Sequence, residues 1–149
     1  MKMKKNEIEL CGLLWDTENL SIGGYEENGH HYYTWQEAMD AAESAGKRLP
    51  TREEWEALCD LGSTWDDELR GRWFGGNHDT DHKGSLFLPA VGLRNYNTRT
   101  YGYYWSSSPL YGGYDNYAGT LLFTSGSIYP LSSGNRVHGL SVRFVRDKE

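Results

Sequence analysis

The chain has 149 residues, a net charge of −6, and six Trp, eleven Tyr and eighteen Gly. That length fits one domain able to bury a core without disulfide staples, and 38% hydrophobic residues exclude a disordered tail. The acidic balance, with no Lys/Arg cluster beyond the first five residues, argues against nucleic acid as a partner.

The basic start, Met1 to Lys5, runs into Asn6-Glu7-Ile8-Glu9, so no apolar stretch of a signal peptide follows it. No segment approaches the length of a membrane span, and membrane insertion is not expected. Residues 1–33 read as a strand and loop region. Cys11 and Cys59 read as two free buried thiols, although one disulfide between them is open.

Residues 34–62 read as two helices. Thr34-Trp35-Gln36-Glu37 is a capping box: the Thr hydroxyl accepts from the third helical amide and the Glu reaches back. A helix from about Trp35 to Ala45 follows, with Trp35, Ala38, Met39, Ala42 and Ala45 on one face and Gly46 as a left-handed cap. Thr51-Arg52-Glu53-Glu54 is a second capping box, with Trp55, Leu58 and Cys59 on one face and Gly62 closing the helix. Pro50 biases Leu49 away from helix and separates the two.

Beyond Gly62 the pattern fragments. Trp65, Leu69, Trp73 and Phe74 are expected in or near the core. Short strands are predicted at Leu86–Gly92, Tyr103–Ser107, Thr120–Thr124 and Leu140–Val145. Two helices followed by short antiparallel strands and long loops make an α+β domain. His78-Asp79-Thr80-Asp81-His82 has the i, i+4 His spacing of a zinc pair, but Gly75-Gly76 and Lys83-Gly84 flank it, so it reads as a solvated loop. His30 and His31 read as surface residues.

The two parts of the chain differ in chemistry. Residues 1–92 carry 27 charged residues, whereas residues 93–140 carry four: Arg94, Arg99, Asp115 and Arg136. Tyr, Ser, Gly and Asn fill 26 of those 48 positions, the mixture that antibody paratopes use. Apolar anchors recur within it, so it is not a linker. Leu122 lies between Leu121 and Phe123; if these two point inward, Leu122 points out.

Gly46-Lys47-Arg48-Leu49-Pro50-Thr51-Arg52-Glu53-Glu54-Trp55 resembles the helix signature of the formylglycine-generating-enzyme superfamily, which has a C-type-lectin-like fold. Gly102-Tyr103-Tyr104-Trp105-Ser106-Ser107-Ser108 and the run from Arg136 to Arg146 resemble two later motifs of the same group. Taken in order, over roughly residues 34–146, they resemble the lectin-fold domains common in gut Bacteroidetes and their phages, and the variable proteins of diversity-generating retroelements. In those proteins template adenines are mutagenised, so variable positions alternate with a fixed frame. The frame residues here are Trp105, Ser106, Ser107, Leu121, Phe123, Pro130, Arg136, Gly139, Ser141, Val142 and Arg143.

The resemblance implies a lectin-like fold with two helices packed on short antiparallel strands. It also implies a variable ligand-binding region over residues 93–140. The candidate ligand-binding residues are Tyr96, Thr98, Tyr101, Tyr103, Leu110, Tyr111, Tyr114, Asp115, Tyr117, Thr120, Leu122, Thr124, Ser127, Tyr129, Leu131, Ser132, Ser133, Val137, His138 and Leu140. The implied partner is a protein or cell-surface ligand, bound without cofactor or metal from a phage virion or a cell surface, with a homo-oligomer open. A non-diversified adhesin of the same fold is the alternative. The superfamily's enzymes use a C-terminal cysteine pair, and no cysteine follows Cys59, so an enzymatic role is not expected. The sugar-coordinating tripeptides of calcium-dependent lectins are also absent, so the fold does not imply sugar binding. Arg136 and Arg143 are expected to brace the fold.

Overall fold

A computed structural model of the chain describes residues 6–148; the basic start at Met1 to Lys5 and the terminal Glu149 lie outside them. Among the described residues there are two helices and eleven strands, and the sheets are antiparallel. The α+β composition expected from the sequence is therefore present, with strand predominant.

Both helices start where the capping boxes place them. In α1 (Trp35–Ser44) the Thr34 hydroxyl accepts from the Glu37 amide at 3.2 Å, and the Glu37 carboxylate accepts from the Thr34 amide at 2.9 Å. In α2 (Arg52–Asp60) Thr51 and Glu54 repeat the exchange at 3.1 and 2.9 Å. Gly46 and Gly62 follow with φ of +68° and +92°, the left-handed turn that glycine takes without steric cost. The apolar stripe of α1 is shifted from the expected one: Ala45 is exposed and Ala41 packs instead.

The first sheet pairs β1 (Glu7–Leu10) with β2 (Leu13–Asp16), and β2 with β11 (Val145–Asp147), so the first and last strands lie on either side of β2. A two-stranded ribbon joins β3 (Tyr25–Glu27) to β4 (His30–Tyr32). A third sheet, β5 (Ser63–Asp66), β6 (Gly71–Phe74) and β7 (Leu86–Pro89), holds the Trp65 and Trp73 region. Leu69 sits in its first turn and is 49% exposed, not core as expected. The fourth sheet has the order β10 (Ile128–Asn135), β9 (Tyr117–Thr124), β8 (Tyr101–Pro109).

The predicted strand at Leu140–Val145 is displaced. Strand β11 begins at Val145, and residues 140–144 run between sheets in extended segments, bridged to Tyr33 at Leu140 and to Tyr104 at Ser141. Leu140, Val142 and Phe144 are buried because both sides of this segment are covered. That burial produces the apolar run that reads as a strand.

Two apolar clusters flank the fourth sheet. One packs Trp55 and Leu58 of α2 with Trp15, Phe74, Tyr104, Leu121 and Phe123. The other packs Ala38 and Ala42 of α1 with Tyr33, Leu49, Trp105, Ala118, Leu140 and Val142. Indole N–H groups tie the layers together. Trp55 donates to the Trp105 carbonyl at 3.2 Å, Trp105 to the Tyr33 carbonyl at 2.7 Å, and Trp35 to the Ser106 carbonyl at 2.9 Å. Cys59 is half-buried, whereas Cys11 is exposed at a turn with φ +56°, which corrects its expected burial; both thiols are free.

Candidate ligand-binding face

Alternation in β8 and β9 assigns each side chain to one face of the fourth sheet. Gly102 stands opposite Phe123 and Tyr104 opposite Leu121, and all four face the α2 cluster. Tyr101, Tyr103 and Trp105 stand opposite Thr124, Leu122 and Thr120 on the other face. That second face is divided. At the Trp105 end it lies beneath the α1 cluster; at the Tyr101 end it is open.

This division corrects two of the candidate residues. Thr120 is fully buried beside Trp105, although it shares its face with Leu122. Leu140 is fully buried in the α1 cluster. Neither presents a side chain to a ligand, and both leave the candidate face.

The other eighteen candidates are exposed or half-buried, and they form two groups. The first surrounds the open end of the sheet. Tyr101 and Tyr103 make an edge-on ring contact at 6.4 Å, and the Tyr101 hydroxyl donates to the Tyr96 carbonyl at 2.9 Å, which joins the exposed loop of Tyr96 and Thr98 to the strand. The Tyr103 hydroxyl donates to the Ser133 carbonyl. Leu122 pairs with Tyr129, and a bulge between Tyr129 and Ser132 carries Leu131 outward. Leu122, Ile128, Tyr129, Pro130, Leu131 and Ser132 together line a shallow apolar depression. Leu122 itself is half-buried rather than fully exposed. Thr124 closes the β9–β10 hairpin, its hydroxyl accepting from the Ser127 amide at 3.1 Å, so these two are partly committed to the turn.

The second group lies at the other end of the strands. The β8–β9 loop exposes Tyr111 and Tyr114 at 75% and 63%, with Leu110 and Asp115 alongside. Tyr117 opens β9 opposite Asn135, and Val137 and His138 follow on the next turn, both exposed. The structure thus places the candidates at opposite ends of β8 and β9, with the covered stretch around Trp105 and Thr120 between them.

The arginines of this region turn toward the rest of the protein. Arg94 lies over the Tyr25 ring at 3.7 Å, Arg136 over the Trp35 ring at 4.4 Å, and Arg99 donates to the Leu69 carbonyl at 3.0 Å. Asp115 remains the one charged side chain among the candidates. Burial raises the Tyr101 and Tyr103 phenol pKa values, so both rings stay neutral at physiological pH. Apart from Asp115, the face therefore offers neutral aromatic, aliphatic and hydroxyl surface.

Outside this face, Arg136 and Arg143 brace the fold as expected. Arg136 donates to the Tyr117 carbonyl at 2.9 Å, and Arg143 binds Asn19 and the Asp16 carbonyl. The His78–His82 segment is a turn whose imidazoles have other roles. His78 Nδ1 is 2.8 Å from the Thr64 hydroxyl, and His82 stacks on Trp73 at 4.1 Å. Among the described residues no group of three or more His, Cys, Asp or Glu is placed to hold a metal ion, and no helix is long and apolar enough to cross a membrane. His30 and His31 are half-buried in β4, not freely exposed.

Sequence reasoning missed Ile128 and Pro130 as parts of the apolar depression. Pro130 was assigned to the fixed frame, and Ser, Gly and Pro mask the strand in which both lie. No family model matches the chain, and no curated protein or solved structure matches it.

Proposed function

We propose that the chain is a non-enzymatic ligand-binding protein of C-type-lectin-like fold whose residues 93–140 display diversified side chains at both ends of β8 and β9, in the manner of retroelement variable proteins. One observation carries this. The frame and the candidate positions differ in burial: eight of the eleven frame residues (Trp105, Ser106, Leu121, Phe123, Gly139, Ser141, Val142 and Arg143) are buried and Ser107, Pro130 and Arg136 are half-buried, while eighteen of the twenty candidates are exposed or half-buried. Side chains can then be exchanged at the candidate positions with little disturbance of packing. Tyr, Leu and Val at exposed sites, with Ser and Gly between them, supply rigid contact area and adaptable polar groups.

The ligand is a protein or cell-surface molecule met through shape and aromatic contact. A non-enzymatic role accords with the thiol chemistry: both cysteines lie outside the face, and burial pushes the Cys59 thiol up to about 12. The deciding experiment is to sequence the gene's surroundings. A near-repeat of the 93–140 coding segment, differing from it at template adenines and lying beside a reverse-transcriptase gene, is the expected result. A locus with neither feature overturns diversification and leaves a fixed adhesin of the same fold.

A further inference from the structure

Arg143 is a buried cation, 1% exposed. Taking an ion out of water carries a heavy solvation penalty unless opposite charge compensates it. Among the described residues its hydrogen bonds go to neutral acceptors, and the Asp16 and Glu18 carboxylates act on it only through space. Nε and Nη2 both donate to Asn19 Oδ1, at 2.9 and 2.6 Å, and Nη1 donates to the Asp16 carbonyl at 3.1 Å. The Asp16 carboxylate is bonded directly to Lys47 at 2.7 Å. Three bonds leave a guanidinium with donor capacity to spare on its two terminal nitrogens.

Arg143 also lines a cavity of about 480 Å³ between the 17–21 segment, the β3–β4 ribbon and β7. That size is ordinary for a small-molecule site. One wall is apolar, from Phe87, Pro89 and Val91; Asn19, His30 and His31 supply the polar wall. Glu18 is exposed at the rim.

We propose that this cavity binds a small organic carboxylate, which gives Arg143 a directly hydrogen-bonded anion while Phe87, Pro89 and Val91 receive the apolar body. A planar guanidinium matches a carboxylate in shape and hydrogen-bond geometry. A single cation beside an apolar wall suits a monoanion with a hydrocarbon part better than it suits phosphate. This site is separate from the β8–β10 face and does not depend on its diversification.

The test is calorimetric titration of the full chain with benzoate, benzamide and inorganic phosphate, with the His30 and His31 ring signals followed by NMR. Benzoate is expected to bind saturably and to shift both rings, with benzamide weaker by about tenfold or more, the scale of one charge-assisted contact. Arg143→Met should abolish binding. Because Arg143 also holds the 17–21 segment, a rim variant gives an arm that leaves the core intact. Glu18→Gln removes a repelling carboxylate and should tighten benzoate about two- to threefold, as expected for an exposed charge. Absence of saturable benzoate binding, equal affinity for benzamide, tighter binding of phosphate than benzoate, or weaker benzoate binding in Glu18→Gln overturns the proposal.

Discussion

Leu122 stands opposite Tyr129 across β9 and β10, and both side chains face away from the core that holds Leu121 and Phe123, the chain neighbours of Leu122. The first prediction follows from that step. Leu121→Ala should cost about 2–5 kcal/mol, the range for a buried leucine, whereas Leu122→Ala should cost less than about 1 kcal/mol. Denaturant melts of the two variants check this, and similar losses would place Leu122 in the core.

Arg72 of β6 is buried and pins the β9–β10 hairpin, with Nη1 on the Ser63 hydroxyl at 3.0 Å and Nη2 on the Ser125 carbonyl at 3.0 Å and the Thr124 carbonyl at 3.3 Å. Arg72→Met should free this hairpin locally. Amide exchange at Thr124 and Ser127 should rise by about tenfold or more, given ~1.5–3 kcal/mol for a hydrogen bond to a charged group. A uniform rise across all four sheets would instead show that Arg72 supports the whole fold.

Arg48 joins α2 to the last strand. Its guanidinium holds Glu54 through two bonds of 2.7 Å and Asp147 at 2.8 and 3.2 Å. Burial pushes the Glu54 carboxyl up, but Arg48 and the Thr51 amide outweigh this and hold it below its ordinary value. Hydrogen bonding to Arg48 likewise lowers Asp147. A depressed folded-state pKa contributes stability above the ordinary carboxylate pKa, and that stability is lost as pH falls through the lowered value. The melting temperature should therefore fall on acidification below about pH 4, and Arg48→Met should flatten that limb. An unchanged acid limb in the variant would show that the pair does not set acid stability.

The cysteines give a chemical check on the first half. Burial pushes Cys59 up to about 12, and burial together with Asp60 and Glu54 raises Cys11. At neutral pH iodoacetamide should leave Cys59 unmodified in the native protein and label Cys11 slowly, with both reacting quickly in denaturant. Fast native labelling of Cys59 would contradict its placement against the core.

The helices were legible because capping is local: Thr34 with Glu37 and Thr51 with Glu54 are three residues apart and need nothing beyond their own turn. The inward set Leu121 and Phe123 was legible from alternation alone. Strand β10 was not, because Pro130, Ser132, Ser133 and Gly134 carry little strand propensity, and partnership with β9 holds them extended. Strands β5 and β6 were hidden by their four-residue length and by the half-buried Trp65 and Trp73. Burial of Thr120 could not be read either, since it depends on strand pairing that sets Thr120 in the middle of its sheet, between Trp105 of β8 and Ser132 of β10. Exposure of the candidate positions was therefore legible where period two decides it, and not where residues distant in sequence cover part of one side.

The most direct test of the proposed face is a display library that randomises Tyr111, Tyr114, Leu122, Tyr129, Leu131 and Val137 together, selected against several unrelated proteins. Most library members should melt within a few degrees of the parent, as surface substitutions within about 0.5 kcal/mol allow. The selected binders should differ in specificity only through those six positions. Widespread unfolding of the library, or binders whose affinity survives reversion of all six residues, would contradict a diversified binding face on residues 93–140.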